Sequence, residues 1–91
     1  MRYSVDVVRI RENSIQLNGW AIGKTPDSAI SFDVEDGNHK SIIHKYVSTR
    51  RDDVSQIYFK KTVDKDLGFD IQFAYERGKD YYLVILSLIH I

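Results

Sequence analysis

The chain has 91 residues, 43% of them hydrophobic and 29% charged, with 13 basic and 13 acidic side chains. This length holds one domain, and the composition is that of an ordinary soluble globular protein. The net charge of zero argues against nucleic acid and against an anionic membrane surface as partners, because both require an excess of lysine and arginine.

The sequence also bears on the cellular compartment. It contains no cysteine, and small secreted domains often depend on disulfides, so this absence favours the cytoplasm. Residues 1–9 alternate polar and apolar side chains and lack the apolar core of a signal peptide. The apolar stretch 81–91 is shorter than the roughly 20 residues of a membrane-spanning helix. We therefore predict a cytoplasmic domain without direct membrane insertion.

Two strands are predicted at the start of the chain. Residues 3–10 are rich in β-branched side chains and alternate polar with apolar positions. Residues 14–23 carry the only tryptophan, Trp20, on the opposite side of the strand from Gly19 and Ala21. Small residues on one face of a strand permit another element to approach closely. We therefore predict that residues 14–23 form a central strand.

The next segment is predicted to be a β-hairpin. Residues 30–35 alternate strictly between apolar and polar, which is typical of a strand with one face on a core and one in water. Asp36-Gly37-Asn38 offers positions with φ > 0 for a tight turn. Residues 39–47 are then expected to return as the partner strand of residues 30–35.

The β pattern ends at residues 48–58. Val54, Ile57 and Tyr58 have helical spacing, and residues 48–53 include candidates for an N-cap. A short helix is predicted here, followed by a charged connector that reaches residue 67.

Strict alternation resumes in residues 68–75, and residues 81–88 are nearly all apolar. The whole chain therefore predicts an all-β fold, an antiparallel β-sandwich of six or seven strands with one short helical insertion. We expect four core side chains on facing strands: Phe32, Phe69, Ile71 and Phe73. Residues 81–88 need cover on both faces, and a two-layer sandwich covers only one. This predicts self-association, with a symmetric homodimer as the simplest form.

The sequence shows no arrangement that would carry out catalysis. It has no glycine-rich phosphate loop, no Ser/His/Asp spacing and no cysteine nucleophile. The three histidines, His39, His44 and His90, lack the spacing of metal ligands. Four loop carboxylates are interpreted as helix caps or solvated charges: Asp52, Asp53, Asp64 and Asp66. We predict no catalytic residue, no metal and no cofactor.

Trp20 has two interpretations. It is either the packing anchor of a small core or a platform on which the C–H groups of a sugar ring stack. In the second case the candidate ligand-binding residues are Trp20, Tyr46, Arg51, Asp53 and Tyr58. Arg51 is similarly open to two interpretations. It either forks onto Asp53 or backbone carbonyls and fixes the irregular segment to the sheet, or it faces a ligand together with Asp53.

Four short segments resemble a known family when taken in order: Tyr3-Ser-Val-Asp6, Leu17-Asn-Gly-Trp-Ala21, Arg51-Asp-Asp-Val54 and Gly68-Phe-Asp-Ile71. They are similar to the small β-sandwich domain attached to bacterial family 2 glycosyltransferases, which build cell-surface polysaccharides such as rhamnose-containing polymers. The resemblance extends to about residue 84, and Arg51, Asp53 and Val54 match the Arg-x-Asp-Val pattern of that family.

The resemblance implies a non-catalytic accessory domain that binds or positions carbohydrate. Residues 1–91 would then be one domain, excised from or N-terminal to a longer protein, with the catalytic domain of that parent as a partner. The parent would account for any association with a membrane. Asp64-Lys65-Asp66 has the Asp-x-Asp spacing of the catalytic domain's metal motif, and we interpret it as a chance match in a connector. The alternative function is a structural module for dimer or interdomain contacts, without a ligand of its own.

Overall fold

The computed structural model of the protein describes residues 1–26 and 28–88, with Leu88 described by its backbone alone. Within these residues it has six strands and one helix: β1 (Arg2–Ile10), β2 (Ser14–Ile22), β3 (Ala29–Asp36), β4 (Ile43–Thr49), α1 (Asp52–Phe59), β5 (Gly68–Ala74) and β6 (Tyr81–Leu88). No helix in the described part of the chain is long and apolar enough to cross a membrane.

The strands form two antiparallel sheets. The first has four strands in the order β1-β2-β5-β4, and the second has two, β3 and β6. The two-stranded sheet packs on one face of the four-stranded sheet, here called the inner face. Helix α1 packs on the opposite, outer face. This arrangement confirms the predicted all-β antiparallel sandwich with one short helix.

The main core lies between the two sheets. Phe69, Ile71 and Phe73 alternate along β5, so all three point to the inner face, where their exposed fractions are 0%, 0% and 3%. Val34 of β3 closes the cluster from the other sheet. The predicted core is therefore confirmed for β5. Phe32 is only half-buried, with its ring centroid 4.6 Å from that of Phe69.

The central position of β2 depends on Gly19. β2 pairs with β1 on one edge and with β5 on the other, as a central strand must. A Cβ atom at position 19 would overlap the carbonyl oxygen of Ser4 and press on the ring of Phe69. The close approach that the small residues of this strand predicted is therefore confirmed.

Helix α1 covers one end of the outer face. Val54 forms a buried cluster with Ile22 and Leu67, and Trp20 and Phe59 pack at its margin. The connector predicted as merely charged is thus anchored by a buried leucine, whose carbonyl also accepts the N–H of Ala21 at 3.0 Å.

The expected side-chain cap of this helix is not formed. The N-cap residue is Arg51, which makes no capping hydrogen bond through its side chain. Asp52 and Asp53 lie in the first turn, but their carboxylates accept hydrogen bonds from the guanidinium groups of Arg50 and Arg51 instead. The helix begins at Asp52, so both aspartates lie inside its first turn and Arg51 occupies the N-cap position.

The predicted hairpin between residues 30–35 and 39–47 is wrong. β3 pairs along its length with β6, and β4 pairs with β5 in the other sheet. The contacts between β3 and the returning chain include a bridge from Glu35 to Ser41 and a hydrogen bond from the Ile42 N–H to the Val34 carbonyl, 2.9 Å. The chain changes sheets here, and both Ile42 and Ile43 pack against the core. This explains two adjacent apolar residues that no single strand face accommodates.

The turn itself forms, with different geometry. The Asp36 carboxylate accepts the backbone N–H groups of Asn38 and Lys40 at 2.8 and 3.1 Å. The residue with positive φ is His39, at 61°, rather than Gly37 or Asn38. Side-chain acceptance by the aspartate therefore organises this turn, as in Asx turns.

Strand β6 is apolar on both faces, as predicted. Tyr81, Leu83 and Ile85 alternate with Tyr82 and Leu86, and the last two are 49% and 54% exposed. Helix α1 lies on the other sheet and leaves this surface uncovered. Self-association through β6 stays a prediction. Residues 89–91, with the histidine at position 90, lie outside the described residues.

Candidate functional site

An aromatic pair marks the outer face of the four-stranded sheet. Trp20 of β2 lies 5.4 Å from Tyr58 of helix α1, measured between ring centroids, with the planes tilted by 42°. Tyr58 is 38% exposed, and Trp20 is half-buried at the margin of the cluster beneath the helix. The guanidinium carbon of Arg2 lies 5.1 Å from the centroid of the Tyr58 ring, within reach of a cation–π interaction.

An open groove runs beside this pair. Its volume is about 540 Å³, and it is lined by residues of β1, β2 and α1: Met1, Arg2, Tyr3, Ser4, Trp20 and Tyr58. Ser4 lies directly opposite Trp20 in the pairing of β1 with β2. The groove therefore combines the aromatic side chains Tyr3, Trp20 and Tyr58 with the polar side chains Arg2 and Ser4.

A charged network continues from this groove toward the start of the helix. Arg51 donates to both carboxylate oxygens of Asp53, from Nε to Oδ1 at 3.1 Å and from Nη2 to Oδ2 at 3.0 Å. Its Nη1 also donates to Oδ2 of Asp6 on β1, at 3.1 Å. Ser4 Oγ donates to the other oxygen of Asp6 at 2.7 Å. The fork of Arg51 onto Asp53 was predicted from the sequence, whereas the second partner on β1 was not.

The charges in this network are fixed at neutral pH. Hydrogen bonds from Ser4 and then from Arg51 hold the pKa of Asp6 below that of an ordinary aspartate. The Arg51 guanidinium likewise lowers the pKa of Asp53, and Asp53 in turn raises the pKa of Arg51. The two carboxylates are thus permanent acceptors. They suit the binding of hydroxyl groups and are poorly suited to donate a proton.

The structure brings together four of the five predicted ligand residues, Trp20, Tyr58, Arg51 and Asp53, and separates the fifth. Tyr46 is paired with Ile71, so it lies on the inner face at the edge of the sheet. Its ring centroid is 6.3 Å from that of Phe32, and burial raises its pKa. Tyr46 is therefore not part of the outer-face site. The register shift in β4 between Ile43 and Lys45 is not evident from the sequence, so the facing of this strand could not be assigned.

Three residues of the site were missed at the sequence level: Arg2, Ser4 and Asp6. Their spacing did contain a usable signal, because alternate residues of one strand share a face. The short turn between β1 and β2 pairs Ile10 with Ile15. Counting residues away from this pair along both strands leads to the part of β1 that lies opposite Trp20. The bulge between Val5 and Val7 shifts that count by one residue, which the sequence does not show.

The described residues contain no group of three or more histidine, aspartate, glutamate or cysteine side chains that could hold a metal ion. The carboxylates of Asp64 and Asp66 are directed to different partners. Asp64 accepts a hydrogen bond from Arg50 at 2.7 Å, and Asp66 accepts one from Ser48 at 2.7 Å. Their Asp-x-Asp spacing therefore does not produce a paired carboxylate site.

Comparison with known proteins finds no match: no protein-family model, no curated protein and no solved structure is significantly similar to this chain.

Proposed function

We propose that this domain is a non-catalytic accessory module of a bacterial glycosyltransferase, and that it binds carbohydrate in the outer-face groove. The observation that supports the proposal is the Trp20–Tyr58 pair, with centroids 5.4 Å apart, beside an ionised network of Arg51, Asp53 and Asp6. Sugar rings combine an apolar C–H face with a rim of hydroxyl groups. A site that joins partly exposed aromatic rings to fixed polar groups matches both features.

The network has capacity left for a ligand. Arginine has five N–H donors, and Arg51 uses one from each of its three nitrogens within the described residues. Two donors therefore stay available for hydroxyl oxygens, and the ionised carboxylates of Asp6 and Asp53 can accept hydroxyl protons. The side chain of Arg51 is 25% exposed, so its guanidinium is held in place and still reachable.

In this proposal the parent enzyme supplies the chemistry, and the domain holds or positions the growing polysaccharide. The sequence resemblance described above supports this role, since the residues that carry it include Trp20, Arg51 and Asp53. The location that follows is the cytoplasm, or the cytoplasmic surface of the membrane through the parent protein.

Trp20 provides a direct experiment, because it is the only tryptophan in the chain. Its fluorescence should change in a saturable way when a rhamnose-containing oligosaccharide is titrated into the domain. Tyr58→Ala should weaken this binding by at least about tenfold, which corresponds to about 1.4 kcal/mol. Tyr46→Ala is the matched control, since the two tyrosines are 38% and 42% exposed and lie on opposite faces of the sheet. Equal effects of both substitutions, or no response of the unmodified domain, would contradict the proposal.

A second candidate function is a contact module for a dimer or for a neighbouring domain. The observation that favours it is the pair of uncovered apolar surfaces on β1 and β6, where Val8 and Leu86 are 55% and 54% exposed. This candidate requires no saccharide, so the titration above and a measurement of mass in solution distinguish the two.

A further inference from the structure

An apolar groove lies between β1 and β6, on the side of the sheet opposite the carbohydrate site. One part of it, about 410 Å³, is lined only by apolar and aromatic residues, among them Val5, Val8, Leu17 and Leu83. A second part, about 400 Å³, is also lined by Val5 and Leu83 and continues toward Tyr3 and Ile85. The groove therefore extends along β6.

The groove exists because the two sheets differ in width. Leu83 of β6 and Leu17 of β2 both pack against the main core cluster and line the same part of the groove, which places β6 above β2. β1 is the next strand beyond β2, and no described strand lies above it. Its inner-face residues are consequently exposed, Tyr3 by 60%, Val8 by 55% and Ile10 by 69%.

The strand edges that border this groove also lack partners within the described residues. β6 pairs with β3 on one edge, and β1 pairs with β2 on one edge, while the second edge of each carries no ladder. β6 has none of the devices that protect a strand edge. It contains no charged residue and no proline between Tyr81 and Leu88, and its pairing has no register shift.

We propose that two copies of this chain close these surfaces on each other about a two-fold axis, with β1 of each copy filling the groove beside β6 of the other. The strand directions permit this arrangement. β1 is parallel to β5, because each is antiparallel to β2, and β5 is antiparallel to β4. The bridge between Glu35 and Ser41 makes β3 antiparallel to the segment that leads into β4. β6 is antiparallel to β3, and it is therefore also antiparallel to β1. A two-fold axis parallel to the strands leaves the strand direction unchanged. β1 of one copy therefore pairs with β6 of the other in the antiparallel sense.

The two-fold rotation provides a partner for the free edges of β1 and β6 in both copies. Each β6 gains β1 of the second copy about 4.8 Å away, which matches the spacing of paired strands. The two-stranded sheet of one copy thereby becomes continuous with the four-stranded sheet of the other. The inner faces of the two β1 strands then lie about 10 Å apart, the separation of packed sheets. Val8 of one copy faces Val8 of the other across the axis.

The chemistry of β1 is what the groove requires. Tyr3, Val5, Val8 and Ile10 supply apolar side chains to the inside, while Arg2 and Arg9 remain on the outer side. β6 carries no charge, so the new strand pair places no like charges opposite each other. Direct pairing of β6 with β6 of a second copy is less suitable. β1 extends beyond the free edge of β6 in the other sheet, so the four-stranded sheets of the two copies would collide there.

This interface and the carbohydrate groove share Met1 and Tyr3, whereas Val8 lines only the apolar groove and Trp20 and Tyr58 line only the carbohydrate groove. Equilibrium sedimentation of the unmodified chain at high micromolar concentration should give the mass of a dimer. Val8→Lys should raise the dissociation constant by at least about tenfold, since it places two ammonium groups against each other at the axis. Val8 is already 55% exposed in the single chain, so the substitution should leave folding intact, as circular dichroism can verify.

Ile57→Lys provides the control. Ile57 is 66% exposed on helix α1, away from the groove, and a lysine there should leave the dimer unchanged. An equimolar mixture of Val8→Lys and Val8→Glu should dimerise more tightly than either variant alone, because opposite charges then meet at the axis. A monomeric unmodified chain, a fully dimeric Val8→Lys variant, or a mixture as monomeric as its components would each overturn this arrangement.

Discussion

Two buried phenylalanines on β5 should differ in their contribution to stability, although their side chains are identical. Phe69 is completely buried between Gly19 and the ring of Phe32, whose centroid is 4.6 Å away. Phe73 is 3% exposed and borders the apolar groove of about 410 Å³ beside β1. Truncation at position 69 leaves an enclosed cavity, whereas truncation at position 73 enlarges a space that already opens to the surface.

Replacement of a buried phenylalanine by alanine costs about 3–5 kcal/mol, and the cost grows with the cavity that remains. We expect Phe69→Ala near the upper end of this range, because it also loses an aromatic pair that contributes about 0.5–1.5 kcal/mol. Phe73→Ala should lie near the lower end. Urea unfolding followed by Trp20 fluorescence gives both values. The indole packs against the second cluster, under the helix, on the opposite face of the sheet from both phenylalanines.

The order of the two values is the decisive result. A domain with a total stability of about 5–15 kcal/mol can fail to fold after the larger loss. In that case Phe69→Leu and Phe73→Leu, which leave smaller cavities, should show the same order. A larger loss at position 73, or melting close to that of the unmodified chain for both variants, would refute the packing described here.

Further predictions concern single positions. Gly19→Ala should destabilise the domain by about 1–3 kcal/mol in thermal melts, because its Cβ would meet rigid backbone, whereas Gly37→Ala projects into open space and should be nearly neutral. Arg51→Lys should lower the melting temperature because an ammonium cannot reproduce the two-oxygen fork, while Arg50→Lys, at a side chain 45% exposed against 25% for Arg51, should change it little. The pKa of Asp6 is depressed in the folded state, so its contribution to stability is present above about pH 4 and is lost as the pH falls through the folded pKa. Asp6→Asn should make the acid-induced fall in melting temperature shallower.

The sequence was most informative where alternation was strict. The alternation places Phe69, Ile71 and Phe73 on the same face of the strand, and all three are buried in the structure. The helical spacing of Val54, Ile57 and Tyr58 likewise identified α1. In β5 the local pattern alone specified which side is buried, whereas in α1 only Val54 of the three is buried, and Ile57 and Tyr58 are 66% and 38% exposed.

The sequence was least informative where the chain changes partners. Residues 30–35 and 39–47 have the appearance of a hairpin, yet β3 pairs with β6, which is distant in sequence. Such pairing depends on which strand ends meet after the core has formed, and no local pattern reports it. The site shows the same limit. The Arg51–Asp53 fork joins residues two apart and was predictable, whereas the Arg51–Asp6 contact spans 45 positions and was not.

The proposal that carbohydrate binds in the outer-face groove is tested most directly by nitrogen–proton NMR of the isotope-labelled domain. The chain has one tryptophan, so its indole N–H gives a single resolved signal. On addition of a rhamnose-containing oligosaccharide, that signal and the amide signals of Ser4 and Tyr58 should shift together and saturate. Amides on the inner face around Tyr46 should stay in place. Shifts confined to the inner face, or an unmoved indole signal at millimolar saccharide, would contradict the account.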